Sequence, residues 1–252
     1  MERRKFLRNA LLLGATGVVP GVALTASPLS NDSPTLTGLV LPPLNPSDMF
    51  ALLVLAVNRE HFELVKSLIR QGIDAHTKNK RGESLLHIAA RRNSVEVVQH
   101  LIGQGINVNV RDKMENTPLL DSTRFFPNAD VVKYLVSHGA DVNAKNDLGS
   151  TPIHHIARRK YTNGLLPYLV SQGANIHAQE NNGRTPLHAA VQRFPNIDTV
   201  QYLLSQDADV HTRDHDGKTA LDYVIEQTNE ADYPMPPERL HEVINVLRSA
   251  MG

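Results

Sequence analysis

No cysteine and no tryptophan occur among the 252 residues. The missing cysteine excludes a disulfide framework, a thiol nucleophile and any zinc site with thiolate ligands. It also suits an oxidising compartment. An excess of one charge is missing too: Lys+Arg and Asp+Glu both total 26. No overall charge therefore draws the chain to nucleic acid or to an anionic membrane. What remains is 41% hydrophobic and 21% charged, an ordinary composition with enough apolar material for a core. The length allows one or two ordinary domains, or one elongated array of small units.

The chain opens with a basic head containing Arg3, Arg4, Lys5 and Arg8. A weakly apolar stretch runs from about Ala10 to Leu24, with Gly14, Gly17 and Gly21 inside it, and small residues follow around Ala23 to Ser27. Basic head, apolar middle and small-residue cleavage region are the three parts of an export signal. The middle is too short and too rich in glycine for a spanning helix, which needs about twenty apolar residues. Arg3-Arg4-Lys5-Phe6-Leu7 resembles the twin-arginine export signal, with Glu2 where a Ser or Thr is usual. The resemblance implies export across a bacterial inner membrane in a folded state, with Arg3, Arg4, Phe6 and Leu7 as the signal residues. Residues 1–26 are assigned to the signal, with cleavage after Ala23 or Ala26. Their removal leaves 22 basic and 25 acidic residues, a net charge of −3. Residues 27–47 contain Pro28, Pro34, Pro42, Pro43 and Pro46 and read as a linker.

From Ser47 onward the chain repeats itself. One phrase recurs as Ser84-Leu85-Leu86-His87, Thr117-Pro118-Leu119-Leu120, Thr151-Pro152-Ile153-His154, Thr185-Pro186-Leu187-His188 and Thr219-Ala220-Leu221-Asp222, at steps of 33, 34, 34 and 34 residues. Ala51-Leu52-Leu53-Val54 is a degenerate copy one step earlier. A second phrase keeps the same beat, for example Gly105-Ile106-Asn107-Val108 and Gly139-Ala140-Asp141-Val142. Such a period marks stacked supersecondary units that each touch only their neighbours. Thr caps a first helix, and Pro occupies its first position, where a missing N–H is harmless. Stripes such as Val131, Val132, Leu135 and Val136 build a second helix. Gly then ends that helix in the left-handed conformation, and a turn rich in Asn, Asp and Gly leads to the next unit.

Thr185-Pro186-Leu187-His188-Ala189-Ala190 and Gly139-Ala140-Asp141-Val142-Asn143-Ala144 resemble the ankyrin repeat. The resemblance spans about residues 48–252. It implies an all-α solenoid of about six helix-turn-helix repeats with short β-hairpin turns. The repeats run over about 48–80, 81–113, 114–148, 149–182, 183–216 and 217–252, with the two end repeats as caps. Three departures stand out. Glu115 replaces the glycine seen at Gly82, Gly149, Gly183 and Gly217, which predicts an altered hairpin tip. Asp207 replaces a helix-ending glycine, and Leu120 replaces the signature histidine. The last repeat inserts Asn229 to Pro237 before a closing helix near Glu238 to Ser249.

Twelve histidines raise the question of a metal. His87, His154 and His188 hold the signature position, where the family resemblance implies hydrogen bonds to backbone. His154 and His155 leave a helix about 100° apart and cannot share a metal on one face, and His211 and His215 lie in a turn. Asp214-His215-Asp216-Gly217 partly matches a calcium loop, but Tyr223 stands where the ligating Glu belongs, so it reads as a hairpin tip. No Gly-Lys-Ser/Thr phosphate loop and no Gly-x-Ser-x-Gly elbow occurs. No metal, cofactor or catalytic residue is assigned.

One pattern exceeds the repeat background. Seven and eight residues after each of the first five phrases begins stand Asn58/Arg59, Arg91/Arg92, Arg124/Phe125, Arg158/Arg159 and Gln192/Arg193. Seven of these ten are Arg, against 17 in the whole chain. In the ankyrin architecture these positions line the concave surface, so a ladder of arginines is expected there. Phe125, Phe126, Tyr161 and Phe194 lie in or beside the adjoining loops. Arg and Tyr are enriched among binding hot spots, and Arg pairs bidentately with carboxylates. A plainer role also fits: cations near a helix C-terminus relieve the macrodipole by about 0.3–1 kcal/mol each.

The expected function is therefore a non-catalytic protein-binding module exported to the bacterial periplasm. Its partner is a protein with an acidic patch, and it would serve as scaffold, protector or inhibitor of a periplasmic enzyme or toxin. The alternatives are a secreted effector acting on a host protein and, from another class, an enzyme using the turn carboxylates and histidines. A nucleic-acid binder would need binding that collapses steeply with salt.

Overall fold

The structure, a computed structural model, describes residues 46–124, 127–159, 164–192, 195–228 and 235–252. The export-signal residues Arg3, Arg4, Phe6 and Leu7 lie outside them, as do residues 27–45 of the linker. The described residues form twelve helices and no β-strand. The hairpins are turns, with one isolated antiparallel bridge between Lys78 and Ser84. The described residues divide into two compact units, with the boundary between Asn107 and Val108.

The first unit holds α1 (Pro46–Asn58), α2 (Phe62–Arg70), α3 (Leu85–Arg91) and α4 (Val95–Gly103). Helix α1 thus begins inside the stretch read as linker. It packs on α2 and α3, while α4 packs on α3 and α2. The second unit holds α5 (Pro118–Arg124), α6 (Ala129–Ser137), α7 (Pro152–Ala157), α8 (Leu165–Ser171), α9 (Pro186–Val191), α10 (Ile197–Ser205), α11 (Ala220–Thr228) and α12 (Pro237–Met251). Helices α5, α7, α9 and α11 stack in that order, and each packs on the helix that follows it in the chain. The closing helix also packs on α10.

The periodic apolar residues are the core. Leu119, Leu135, Ile153, Leu165 and Leu169 are fully buried. Burial of such a side chain stabilises by about 1.5–3 kcal/mol. The small, fully buried Ala89, Ala157 and Ala189 let first helices lie close together.

Capping follows from the repeated phrase. The backbone N–H of Ser84, Thr151 and Thr185 donates to Nδ1 of His87, His154 and His188 at 3.1, 3.3 and 3.2 Å. Nδ1 is therefore the acceptor. The Nε2–H of His154 and His188 donates across to the carbonyls of Arg184 and Lys218, at 3.2 and 3.1 Å. One imidazole so closes its own helix and ties two repeats together. In the last repeat Asp222 takes over, its Oδ2 accepting from Thr219 N at 2.8 Å.

Two of the three departures leave the backbone unchanged. Glu115 adopts φ 59, and Glu115 N donates to Asp112 O at 3.2 Å. That is the turn made at Gly149, whose N donates to Asn146 O at 2.9 Å. The expected altered tip at Glu115 is corrected accordingly: the turn closes because one strained residue costs only about 1–2 kcal/mol. Asp207 likewise takes φ 64 and ends α10 as Gly173 ends α8.

Candidate partner-binding groove

The second unit carries an open groove of about 570 Å³. One wall is the end of the first helices: Arg124, His155, Arg158, Arg159 and Gln192. The other is three successive hairpins, contributing Met114 and Asn116, then Asn146 to Leu148 and Ser150, then Glu180 to Asn182 and Arg184. The repeat dictates this arrangement, because each unit contributes one helix end and one hairpin in the same relative positions.

The hairpins close by a shared device. Oδ1 of Asn79, Asp112, Asn146 and Asp214 accepts from the N–H groups two and four residues on, at 2.8–3.1 Å. This is an Asx turn. Glu180 holds that position in the fourth repeat, and its longer side chain leaves the turn. Its Oε1 accepts from Ser150 Oγ at 2.6 Å, and its Oε2 accepts from Arg158 Nη2 at 2.5 Å. Burial opposes ionisation of Glu180. The guanidinium and hydroxyl outweigh it and hold the carboxyl below its ordinary range. Arg158 Nε also donates to Gln192 Oε1 at 3.1 Å. Sequence reasoning missed Glu180, although a Glu where other repeats have Asn or Asp was the available signal.

Arg184 makes the next link. Its Nε reaches Asp214 Oδ2 at 3.1 Å, its Nη2 donates to Tyr223 Oη at 2.6 Å, and its guanidinium carbon lies 4.8 Å from the Tyr223 ring centroid. Tyr223 Oη in turn donates to Asp214 Oδ2 at 2.5 Å. Burial works against the Asp214 carboxylate, but these donors and the Lys218 N–H bring its pKa down to about 2.

Two adjacent histidines lie at the groove, with His155 in its lining. Burial lowers the His155 pKa to about 3, helped by the Arg158 charge. Its Nδ1–H donates to Leu120 O at 3.2 Å. Burial also lowers His154, to about 4, against the pull of the Glu180 carboxylate. Both are neutral imidazoles; His154 is fully buried and His155 is 8% exposed.

The sequence-derived arginines separate into distinct places. Arg124, Arg158 and Arg159 meet in the groove, and Arg159 Nη2 donates to the Arg124 carbonyl. Arg59, Arg91 and Arg92 belong to the first unit. There Arg91 Nη1 pairs with Glu83 Oε1 at 2.6 Å, and Arg92 Nε donates to Asn58 Oδ1 at 2.7 Å. Arg91 and Arg158 are thus neutralised from within the chain, which the ladder reading did not foresee. Phe125, Phe126, Tyr161, Arg193 and Phe194 lie outside the described residues. Among the described residues no three His, Asp or Glu side chains group as metal ligands.

The family model for Ankyrin repeats (3 copies) matches residues 53–146, 128–214 and 153–232. The chain belongs to the ankyrin repeat family. Its helix pairs are ankyrin repeats, and ankyrin repeats are protein-binding modules that are typically non-catalytic. No curated protein matches the chain. A chain of the solved structure described as the Bd0816 predatory endopeptidase from Bdellovibrio bacteriovorus in complex with immunity protein Bd3460 is similar. It shares 20% identity at a TM-score of 0.65, over 78% of this ankyrin chain and 96% of that one. At that identity the likeness speaks for the fold.

Proposed function

We propose that this ankyrin protein is exported to the bacterial periplasm and there binds a partner protein as its inhibitor or protector. The groove carries the reading. Four guanidinium groups, Arg124, Arg158, Arg159 and Arg184, line it against the two carboxylates Asp147 and Glu180, with Asp214 pairing Arg184 from outside the lining. That surplus of positive charge sits in a chain whose net charge after loss of residues 1–26 is −3. A partner with acidic residues is complementary to the groove, and such complementarity sets specificity and association rate. The similar solved chain comes from a complex of an endopeptidase with an immunity protein. That supports an inhibitor among the roles open to an exported ankyrin module. The basic head and apolar stretch of residues 1–26 support export.

The test is purification of tagged full-length protein from bacterial periplasm and cytoplasm, with mass spectrometry of its size and companions. A shortened periplasmic form with one abundant companion is expected. An uncut cytoplasmic form would remove the export assignment. Arg124→Glu and Arg159→Glu combined should abolish capture; unchanged capture would reduce these arginines to helix-capping cations.

A further inference from the structure

Met114 and Leu148 are the exposed large hydrophobic residues among the described residues, at 48% and 58%. A single exposed apolar side chain is ordinary. These two are not scattered. Each sits at the same place in its hairpin, where the other repeats have Arg81, Asn182 and Asp216. The two hairpins are successive, and both line the groove.

Their backbones are held at both polar atoms. Met114 N donates to Asp112 Oδ1 at 2.8 Å, and Met114 O accepts from Asp147 N at 3.0 Å. Leu148 N donates to Asn146 Oδ1 at 3.1 Å, and Leu148 O accepts from Asn181 N at 2.9 Å. Two apolar side chains therefore stand in solvent on backbone that is already ordered. Such pre-organised groups lose little further entropy on binding. Arg124 and Arg159, on the ends of first helices, line the same groove.

Building on the protein-binding reading above, we propose that the groove takes a partner segment bearing a carboxylate beside a large apolar side chain. The apolar group seats against Met114 and Leu148, and the carboxylate faces Arg124 and Arg159. The apolar grip supplies affinity by burying surface, at about 25 cal/mol per Å². The guanidinium pair rejects segments that lack the acid. A purely acidic surface would leave the two tips in water, and a purely apolar one would desolvate the two guanidinium groups without bringing a charge to meet them. The combination of features, not the charge alone, defines the ligand.

The test uses the full-length protein in its bacterial host. A photo-cross-linking amino acid replaces Leu148 in one strain, Met114 in a second and Gln201, exposed on α10, in a third. Adducts are digested and the trapped peptide is sequenced. The expected result is trapping from positions 148 and 114 of a peptide with Asp or Glu within two residues of Leu, Ile, Met or Phe. Leu148→Ser should lower capture of that same partner about tenfold, as removal of a central anchor does, while Gln201→Ser, outside the groove, leaves it unchanged. Its fold should survive, because the hairpin is held by backbone. Adducts from position 201 alone would overturn the groove assignment and leave protein binding standing. Trapped peptides without an acidic residue, or capture indifferent to Leu148→Ser, would overturn the proposed ligand. No adduct from any position would overturn both readings.

Discussion

Arg158 and Glu180, twenty-two residues apart, meet at 2.5 Å across the groove of the second unit. The pair joins a first-helix end to the hairpin that leads out of the same repeat. Glu180 is almost fully buried, with 7% side-chain exposure, and Arg158 is 31% exposed. Losing one partner leaves the other charge poorly solvated.

Arg158→Ala should therefore destabilise the second unit by about 2–3 kcal/mol, because it strands a buried carboxylate. Arg158→Ala with Glu180→Ala together should cost less than the sum, with a coupling of about 1–2 kcal/mol. Urea unfolding of the four proteins measures it. Strict additivity would mean the contact contributes nothing to stability.

Gly149 and Gly217 share a left-handed backbone, with φ of 73 and 74. A Cβ on Gly149 would lie 2.5 Å from Asn181 Oδ1 and 2.8 Å from Asn181 N, whereas one on Gly217 meets nothing within 4 Å. Gly217→Ala should cost only the conformational strain, about 1–2 kcal/mol. Gly149→Ala should cost about 1–3 kcal/mol more, because the clash with backbone N cannot be relieved by a rotamer. Thermal melts of the two variants give the comparison, and equal shifts would contradict it.

Asn143 bridges two repeats on the turn side. Its Nδ2 donates to Gly173 O at 2.9 Å, and its Oδ1 accepts from Asn175 N at 2.8 Å. Asn109 makes the same pair of bonds to Gly139 and Asp141. Asn143→Ala should cost about 1–2 kcal/mol and speed hydrogen exchange at the Asn175 amide. Unchanged exchange there would show that water replaces the bridge without loss.

Acid should unfold the second unit. His154 and His155 have folded pKa values near 4 and 3, below the ordinary 6.5. Below pH 6.5 the unfolded chain binds protons that the folded chain refuses, so stability falls as pH drops from about 6.5 towards 3–4. At pH 5 the loss is about 2 kcal/mol for each histidine. Glu180 and Asp214, both lowered, remove further stability at lower pH. Denaturant midpoints measured from pH 7.5 to 4.5 should fall, and His155→Gln should flatten the slope. A flat profile for the parent protein would contradict the buried, neutral assignment.

The repeat architecture was legible in the primary structure because it is periodic. Each Thr-Pro phrase, helical stripe and glycine makes a local choice, and the same choice recurs every 33 or 34 residues. The roles of His154 and His188 followed from the same phrases. Tertiary structure decided what depends on neighbours brought in by packing. Glu115 and Asp207 keep the glycine-like turn because the surrounding hydrogen bonds impose it, although propensity argues otherwise. Arg91 and Arg158 turn inward because Glu83 and Glu180 sit within reach: each pair lies inside one repeat, but only the packing of hairpin against helix end brings its members together. Met114 and Leu148 become a pair for the same reason: they lie 34 residues apart in the chain, and only stacking sets their hairpins side by side.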